Sequence, residues 1–161
     1  MKPATAAIIV TADRVLSGAK PDSAGALAKE LLLAQGLEVV SHDVVAEGYA
    51  RVAEALREQV RAGVDVIVVI GGTGIGPTNY APEVTEEFIA ARLHGLETQV
   101  LIKGLESSHK AGLSRGVIGM TDRGCGSLII NSASSRGAVA DTLGVVLPLL
   151  GDIFRDAKGK W

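Results

Sequence analysis

Apolar and polar residues are arranged along the chain in blocks that predict strands and helices in turn. The apolar run at residues 6–11 and the continuous β-branched run in "VDVIVVIGG" predict buried strands, the second covered on both faces. The segment "LEVVSHDVVAEG" alternates in part and predicts another strand. Towards the carboxyl terminus, "LSRGVIGMTDRGCGSLIINSA" predicts two strands around the turn "TDRGCG".

Helical patterns occupy the intervals between these strands. We predict helices over residues 24–35, closed by Gly36, and over "YARVAEALREQVRAG", "PEVTEEFIAARL", "LETQVLIKGLESSHKAG" and residues 135–147. Pro82 stands at the start of its helix, where proline is tolerated. This alternation predicts an α/β fold with a mainly parallel sheet and helices on both faces. Because no linker or repeat interrupts the pattern, we expect a single domain over residues 1–161.

The amino-acid composition excludes several kinds of binding partner and metal site. Aromatic residues make up 3% and the net charge is −2, so we expect no nucleic-acid partner. The single cysteine, Cys125, excludes an internal disulfide and a cysteine-rich zinc site, and the three histidines have no metal-ligand spacing. The first apolar run is too short to span a bilayer and lacks the layout of a signal peptide, so we expect no membrane association and a cytoplasmic location.

Candidate chemistry lies where three of the predicted strands end. These ends read "TADR", "GGTG" and "NSASSRG". Ligands of parallel α/β sheets bind beyond the carboxyl ends of the strands, so we expect at least two of these segments to share one crevice.

The segment "GGTG" is built to approach an anion closely. Gly71, Gly72 and Gly74 remove side chains and allow consecutive N–H groups to face one phosphate, while Thr73 adds a hydroxyl. The spacing matches neither a Walker A loop nor the dinucleotide-binding fingerprint. A tight strand-to-helix turn without a ligand is the alternative interpretation.

Five segments carry a resemblance to a known family. "GGTGIGPTNYAPEVT" resembles the G-G-T-G-x-x-x-x-D-x-T-P-E motif of the molybdopterin adenylyltransferase family, which includes the bacterial Mog and MoaB proteins and the gephyrin G domain. "TADR" with "PDSAG", "LSRGVIG" and "LIINSASSRGAV" resemble further motifs of that family, in the same order, from about residue 7 to 150. The resemblance implies a three-layer α/β/α fold and a homotrimer. It also implies binding of molybdopterin, a phosphorylated pterin dithiolene, and Mg²⁺-dependent transfer of AMP from ATP to its terminal phosphate.

The resemblance also implies site residues. Catalytic roles fall on Glu47, Asn79 and Glu83, and Glu47 is the candidate Mg²⁺ ligand. Ligand-binding roles fall on Asp13, Gly71, Gly72, Thr73, Gly74, Ser114, Arg115, Asn131 and Ser135. Three of these residues have an alternative structural role. Asp13 could accept a hydrogen bond in a turn, Arg115 could form a salt bridge, and Ser135 could be a helix N-cap.

The chain departs from the family where the chemistry is expected. Asn79 stands at a family acid, Ala81 at a threonine, and residues 132–136 lack the family's prolines and include Arg136. One interpretation is an adenylyltransferase with weakened activity. The alternatives are a non-catalytic carrier or pseudoenzyme that binds pterin or nucleotide, and another nucleotide-linked activity, as in the related competence-damage-type domains.

Overall fold

The computed structural model describes residues 2–158. Its strands are β1 (Thr5–Thr11), β2 (Glu38–Val45), β3 (Val66–Ile70), β4 (Ala91–Arg92), β5 (Ile118–Met120) and β6 (Leu128–Ser132). Its α-helices are α1 (Asp13–Leu16), α2 (Ser23–Ala34), α3 (Tyr49–Arg61), α4 (Ala81–Glu86), α5 (His94–Leu105), α6 (Arg136–Val146) and α7 (Leu150–Lys158). Two 3₁₀ turns, His109–Leu113 and Leu147–Leu149, follow α5 and α6.

The strands form one sheet in the order β2-β1-β3-β6-β5-β4. The first four run parallel, while β5 pairs antiparallel with both β6 and β4. The mainly parallel sheet is therefore confirmed. The three strands with candidate chemistry at their ends, β1, β3 and β6, are neighbours, so their carboxyl ends lie side by side.

Helices cover both faces of the sheet, as predicted, because successive strand residues face opposite sides. On one face, Ile8, Val68 and Ile130 pack with residues of α2, α5, α6 and α7. On the other, Ile9 and Val69 pack with residues of α3 and α4. The aliphatic composition of the strands thus gives a three-layer α/β/α arrangement.

The helix predicted over "PEVTEEFIAARL" is wrong in its second half. Helix α4 ends at Glu86, and the chain then joins the sheet edge as β4. The Ala90 N–H donates to the Met120 carbonyl at 2.9 Å, and the Leu93 N–H donates to the Ile118 carbonyl at 2.8 Å. Pairing with β5 outweighs the local helical pattern here. The residues of a short segment do not show which strand will lie beside it, so the sequence could not predict this pairing.

The helix predicted over "LETQVLIKGLESSHKAG" is also shorter than expected. Helix α5 begins at His94 and ends at Leu105, and the rest of the segment includes the 3₁₀ turn. A Cβ on Gly104 would lie 2.9 Å from the Ala111 Cβ, so the 3₁₀ turn folds back closely against α5. This return brings residues 109–114 towards the strand ends.

One helical run among the described residues, Arg136–Ala157, is long and apolar enough by length and composition to cross a membrane. Val139, Leu143, Val146 and Phe154 of this run are fully buried. They belong to the core cluster that includes β1, β3 and β6. Core packing accounts for the apolar character of these residues.

Candidate functional site

The glycine loop, residues 71–79, begins at the carboxyl end of β3, between β1 and β6. The Gly71 N–H donates to the Ser132 carbonyl at the end of β6, at 2.9 Å. Gly71 has φ +98°, and a Cβ there would lie 2.5 Å from the Thr11 carbonyl oxygen at the end of β1. Only glycine fits at this position. The loop confirms that the three strand ends meet in one crevice.

Backbone donors in the loop are available to a ligand. The N–H groups of Gly72, Thr73 and Gly74 donate to no other residue that the structure describes. The buried Thr73 hydroxyl accepts a hydrogen bond from Ser114 Oγ at 3.1 Å. This short segment therefore offers successive backbone donors of the kind that bind phosphate oxygens.

The Arg115 side chain binds carbonyl groups of the glycine loop. Its Nε and Nη2 donate to the Gly74 carbonyl at 3.0 and 2.8 Å, and Nη2 also donates to the Asn79 carbonyl at 3.1 Å. Its Nη1 and Nη2 donate to the two carboxylate oxygens of Glu83 at 2.6 and 3.2 Å. The Arg115 guanidinium lowers the pKa of Glu83, and the Glu83 carboxylate raises the pKa of Arg115. Two predicted site residues are thus paired with each other and hold both ends of the loop.

Asn79 stabilises the turn at the tip of the loop. Its Oδ1 accepts a hydrogen bond from the Gly76 N–H at 3.0 Å, and its own N–H donates to the Gly76 carbonyl at 3.2 Å. A carboxylate at this position could accept the same hydrogen bond. The amide therefore keeps the shape of the turn without adding a charge.

Asp13 and Glu47 form a reciprocal pair beside the loop. The Asp13 N–H donates to Glu47 Oε2 and the Glu47 N–H donates to Asp13 Oδ1, both at 2.9 Å. Thr78 Oγ1 of the glycine loop donates to Glu47 Oε1 at 2.8 Å. These contacts join the ends of β1 and β2 to the loop and bring two carboxylates together.

Asp13 and Glu47 are the candidate acidic ligands of Mg²⁺. Residues 2–158 contain no cluster of three or more His, Cys, Asp or Glu side chains that could hold a metal ion. Mg²⁺ often takes only one or two carboxylates together with the phosphates of its substrate. Asp13 and Glu47 fit that requirement. Asp13 Oδ2 accepts no hydrogen bond from the described residues, and each oxygen of Glu47, which accepts one, keeps a further lone pair.

The predicted residues on β6 and at the start of α6 have internal partners. Asn131 is 3% exposed; its Nδ2 donates to Thr85 Oγ1 at 2.9 Å and its Oδ1 accepts from the Val117 N–H at 3.1 Å. Ser135 caps α6, accepting a hydrogen bond from the Ala138 N–H at 3.0 Å. Arg136 donates to the Ser23 carbonyl at the start of α2, at 3.3 Å. The ligand-binding roles of Asn131 and Ser135 stay predictions.

Several residues that line the site were not predicted from the sequence. A pocket of about 270 Å³ at the glycine loop is also lined by Lys110, Leu113 and Ser134. Lys110 makes no ion pair with the described residues. It stands three residues before the "LSR" motif, which was the available signal, but only the 3₁₀ turn brings it to the loop.

Comparisons with known proteins find relatives of this chain. The family model described as "Probable molybdopterin binding domain" matches residues 7–152. Molybdenum cofactor biosynthesis protein B of Halalkalibacterium halodurans is 31% identical over 139 residues, which are 84% of this chain and 80% of that protein. The solved structure of the molybdopterin biosynthesis Mog protein from Mycobacterium ulcerans is 33% identical with a TM-score of 0.88, covering 99% of this chain and 100% of that one.

One relative is about twice as long as this chain. The molybdenum cofactor biosynthesis bifunctional protein of Chlorobaculum tepidum is 30% identical over 156 residues, 95% of this chain but 48% of that protein. The chain thus spans about half the length of this relative. Because the family model covers residues 7–152 and its motifs lie around one crevice, the chain belongs to the molybdopterin-binding-domain family.

Proposed function

We propose that this protein acts in molybdenum cofactor biosynthesis by binding molybdopterin and ATP and transferring AMP to the terminal phosphate of molybdopterin. The observation that carries the proposal is the set of free N–H groups at Gly72, Thr73 and Gly74, where three neighbouring strands end. Family membership supports the pterin as the ligand. Both substrates carry phosphates, and backbone donors are the part of the site that suits them.

The proposed reaction exchanges one phosphoanhydride bond for another. An oxygen of the molybdopterin phosphate attacks the α-phosphorus of ATP, the bond from that phosphorus to the bridging oxygen breaks, and pyrophosphate leaves with the electron pair. Asp13 and Glu47 would hold Mg²⁺, which when bound neutralises part of the charge on the phosphates. The loop N–H groups orient the phosphates, and no side chain needs to form a covalent bond.

We assign Glu83 and Arg115 a positioning role in this reaction. Both side chains are engaged with each other, and Arg115 also binds the loop carbonyls of Gly74 and Asn79. Carbonyls held on the outside of the loop leave its N–H groups for the ligand. The pair thus acts on the substrate through the conformation of the glycine loop.

A specific observation favours a second candidate, a binding protein without turnover. Asn79 supplies no charge, and its Oδ1 is occupied by the Gly76 N–H. The remaining acids of the crevice do not form a three-ligand cluster within the described residues. Phosphate binding by backbone donors does not depend on those acids, so it would persist without catalysis.

The two candidates are separated by assaying transfer and binding on the same protein. Purified protein is incubated with molybdopterin, ATP and Mg²⁺, with release of pyrophosphate and formation of adenylylated molybdopterin as readouts. We expect both products, loss of both in Glu47→Gln, and unchanged turnover in the control Glu38→Gln on exposed β2. Binding of both substrates without either product would select the binding protein.

A further inference from the structure

A cavity of about 100 Å³ between α5 and α6 adjoins the glycine-loop pocket. Val100 of α5, Ile118 of β5 and Ala138 of α6 give it apolar walls. Ser114 and Ala133 line both the cavity and the glycine-loop pocket, so the two spaces meet. A ligand whose phosphate binds at the glycine loop can therefore extend a flat ring into this cavity.

Two carboxylates line the cavity, and they differ in their partners. Glu97 is occupied, because its Oε2 accepts from Arg92 Nε at 2.9 Å and from the Ile118 N–H at 3.0 Å, and its Oε1 accepts from Arg92 Nη2 at 3.0 Å. Asp141 of α6 is half-buried and makes no hydrogen bond or close ion pair with any residue in the described range. The nearby cation, Lys103, pairs with Glu106 at 3.0 Å. Lys103 also interacts electrostatically with Asp141 at longer range. The two oxygens of Asp141 therefore accept no hydrogen bond from the described residues, on a wall that combines apolar residues with Ser132 and Thr142.

A carboxylate whose oxygens accept no hydrogen bond favours a ring that carries two adjacent donors. A pterin carries its 2-amino group and its N3–H side by side on one edge, which matches the two oxygens of a carboxylate. Adenine places a ring acceptor beside its amino group, so the same carboxylate would face a lone pair. The cavity thus favours the 2-amino-4-oxo pyrimidine edge of a pterin over the adenine of ATP.

We propose that Asp141 is a specificity-determining residue that accepts hydrogen bonds from the 2-amino group and N3–H of the pterin ring in the α5–α6 cavity. This inference rests on the proposed function, since it takes molybdopterin as the occupant of the site. It divides the site into a phosphate compartment at the glycine loop and a ring compartment at Asp141. The adenine of ATP then binds outside the cavity.

Two small rings of the same shape test the proposal. Free pterin and lumazine, which carries an oxo group in place of the 2-amino group, are titrated by their fluorescence. The proteins are the wild type, Asp141→Asn and the control Asp156→Asn, which removes the same charge from α7 outside the cavity. Thermal unfolding followed by circular dichroism checks that each variant folds.

We expect the wild type and Asp156→Asn to bind pterin at least about tenfold more tightly than lumazine, because the oxo group sets an acceptor against the carboxylate. Asp141→Asn should reduce this preference to within about threefold, by weakening pterin binding. Equal affinity of the wild type for the two rings, no binding of either ring, or unchanged preference in Asp141→Asn would overturn the proposal. The comparison of the two rings on the wild type holds even if Asp141→Asn does not fold.

The AMP-transfer assay separates this inference from the proposed function. If the wild type transfers AMP and Asp141→Asn has an unchanged KM for molybdopterin, the ring compartment is wrong and the function stands. If the wild type binds pterin selectively, loses that selectivity in Asp141→Asn and transfers no AMP, the ring compartment stands and the catalytic function is wrong.

Discussion

At the scale of single residues, we expect Asn79 to limit the rate of the proposed AMP transfer. Replacement by aspartate, Asn79→Asp, keeps the hydrogen bond from the Gly76 N–H and adds one negative charge at the residue after Thr78, whose hydroxyl binds Glu47. We expect the rate of AMP transfer to rise at least about tenfold, which corresponds to about 1.4 kcal/mol of transition-state stabilisation. Nucleotide affinity should change by less than about threefold, because backbone N–H groups bind the phosphates in the ground state.

Pyrophosphate release and nucleotide calorimetry on the two proteins measure these quantities. An Asn79→Asp protein that binds nucleotide and transfers no AMP would refute the weakened-enzyme interpretation. The loss of activity would then be attributed to the altered residues 132–136.

Glu83 predicts a pH dependence of stability. Its pKa in the folded protein lies below the ordinary 4.5 because Arg115 donates to its carboxylate. The pair therefore stabilises the folded state fully above pH 4.5, and this stabilisation disappears as the pH falls through the lower folded-state pKa. We expect urea unfolding to show the wild type as more stable than Glu83→Gln at about pH 7, with a smaller difference at about pH 3. A difference of equal size at both pH values would contradict the ion pair.

At the scale of elements, the first turn of α2 requires glycine. Asp22 caps the helix by accepting from the Gly25 N–H at 2.9 Å, and it holds His42 Nε2 of β2 at 2.7 Å. A Cβ on Gly25 would lie within 2.3 Å of Asp22 Oδ2 and 2.6 Å of His42 Nε2. We expect Gly25→Ala to lower the free energy of unfolding by about 1–3 kcal/mol, as overpacking does.

Gly144→Ala is the matched control for Gly25→Ala. Gly144 lies on the exposed side of α6, and a Cβ there meets nothing within 4 Å. Helix propensity alone then predicts a gain of about 0.5–1 kcal/mol. Urea unfolding of the two variants should give changes of opposite sign, and equal changes would show that the Asp22–His42 contact is not restrictive.

The glycine loop is constrained as an element, which limits how it can be tested. Gly72 has φ +69°, and a Cβ there would lie 3.2 Å from the Ala81 Cβ. A Gly72→Val variant therefore strains the fold as well as blocking the loop. Substitutions that leave the loop glycines in place, such as Glu47→Gln and Asn79→Asp, separate binding from folding more cleanly.

At the scale of the whole molecule, the exposed apolar surface predicts assembly. Leu101, Ile102 and Leu105 of α5 are 39%, 59% and 48% exposed, and Leu113 after α5 is 60% exposed. The apolar residues of the closing helix, by contrast, are mostly buried in the core. We propose a homotrimer, as the resemblance implies, with the outer face of α5 in the subunit contact.

Light scattering at micromolar concentration tests the assembly. We expect the wild type to have about three times the 16.6 kDa mass of the chain. Ile102→Glu should lower the mass, and Leu33→Glu on the exposed side of α2 should leave it unchanged. A monomeric wild type would refute the trimer, and a trimeric Ile102→Glu would refute the α5 contact.

The sequence by itself determined five of the six strands, most helices and the position of the glycine loop. These features depend on local causes: the spacing of apolar residues, the glycines of residues 71–74, and the caps at Gly36 and Ser135. The same local reading failed at β4, since a two-residue edge strand exists only because β5 lies beside it. The order of the strands could not be predicted from the sequence either, although the polar ends of β1, β3 and β6 were each identified.

Only the tertiary structure decided which side chains meet in the crevice. Asp13 and Glu47 are 34 residues apart in the chain, and Arg115 and Glu83 are 32 apart. Their pairing follows from the order and register of the strands, which the burial of both sheet faces sets for the molecule as a whole. The position of the Asp141 carboxylate has the same origin, because the cavity that it lines exists only where α5 and α6 pack beside the strand ends.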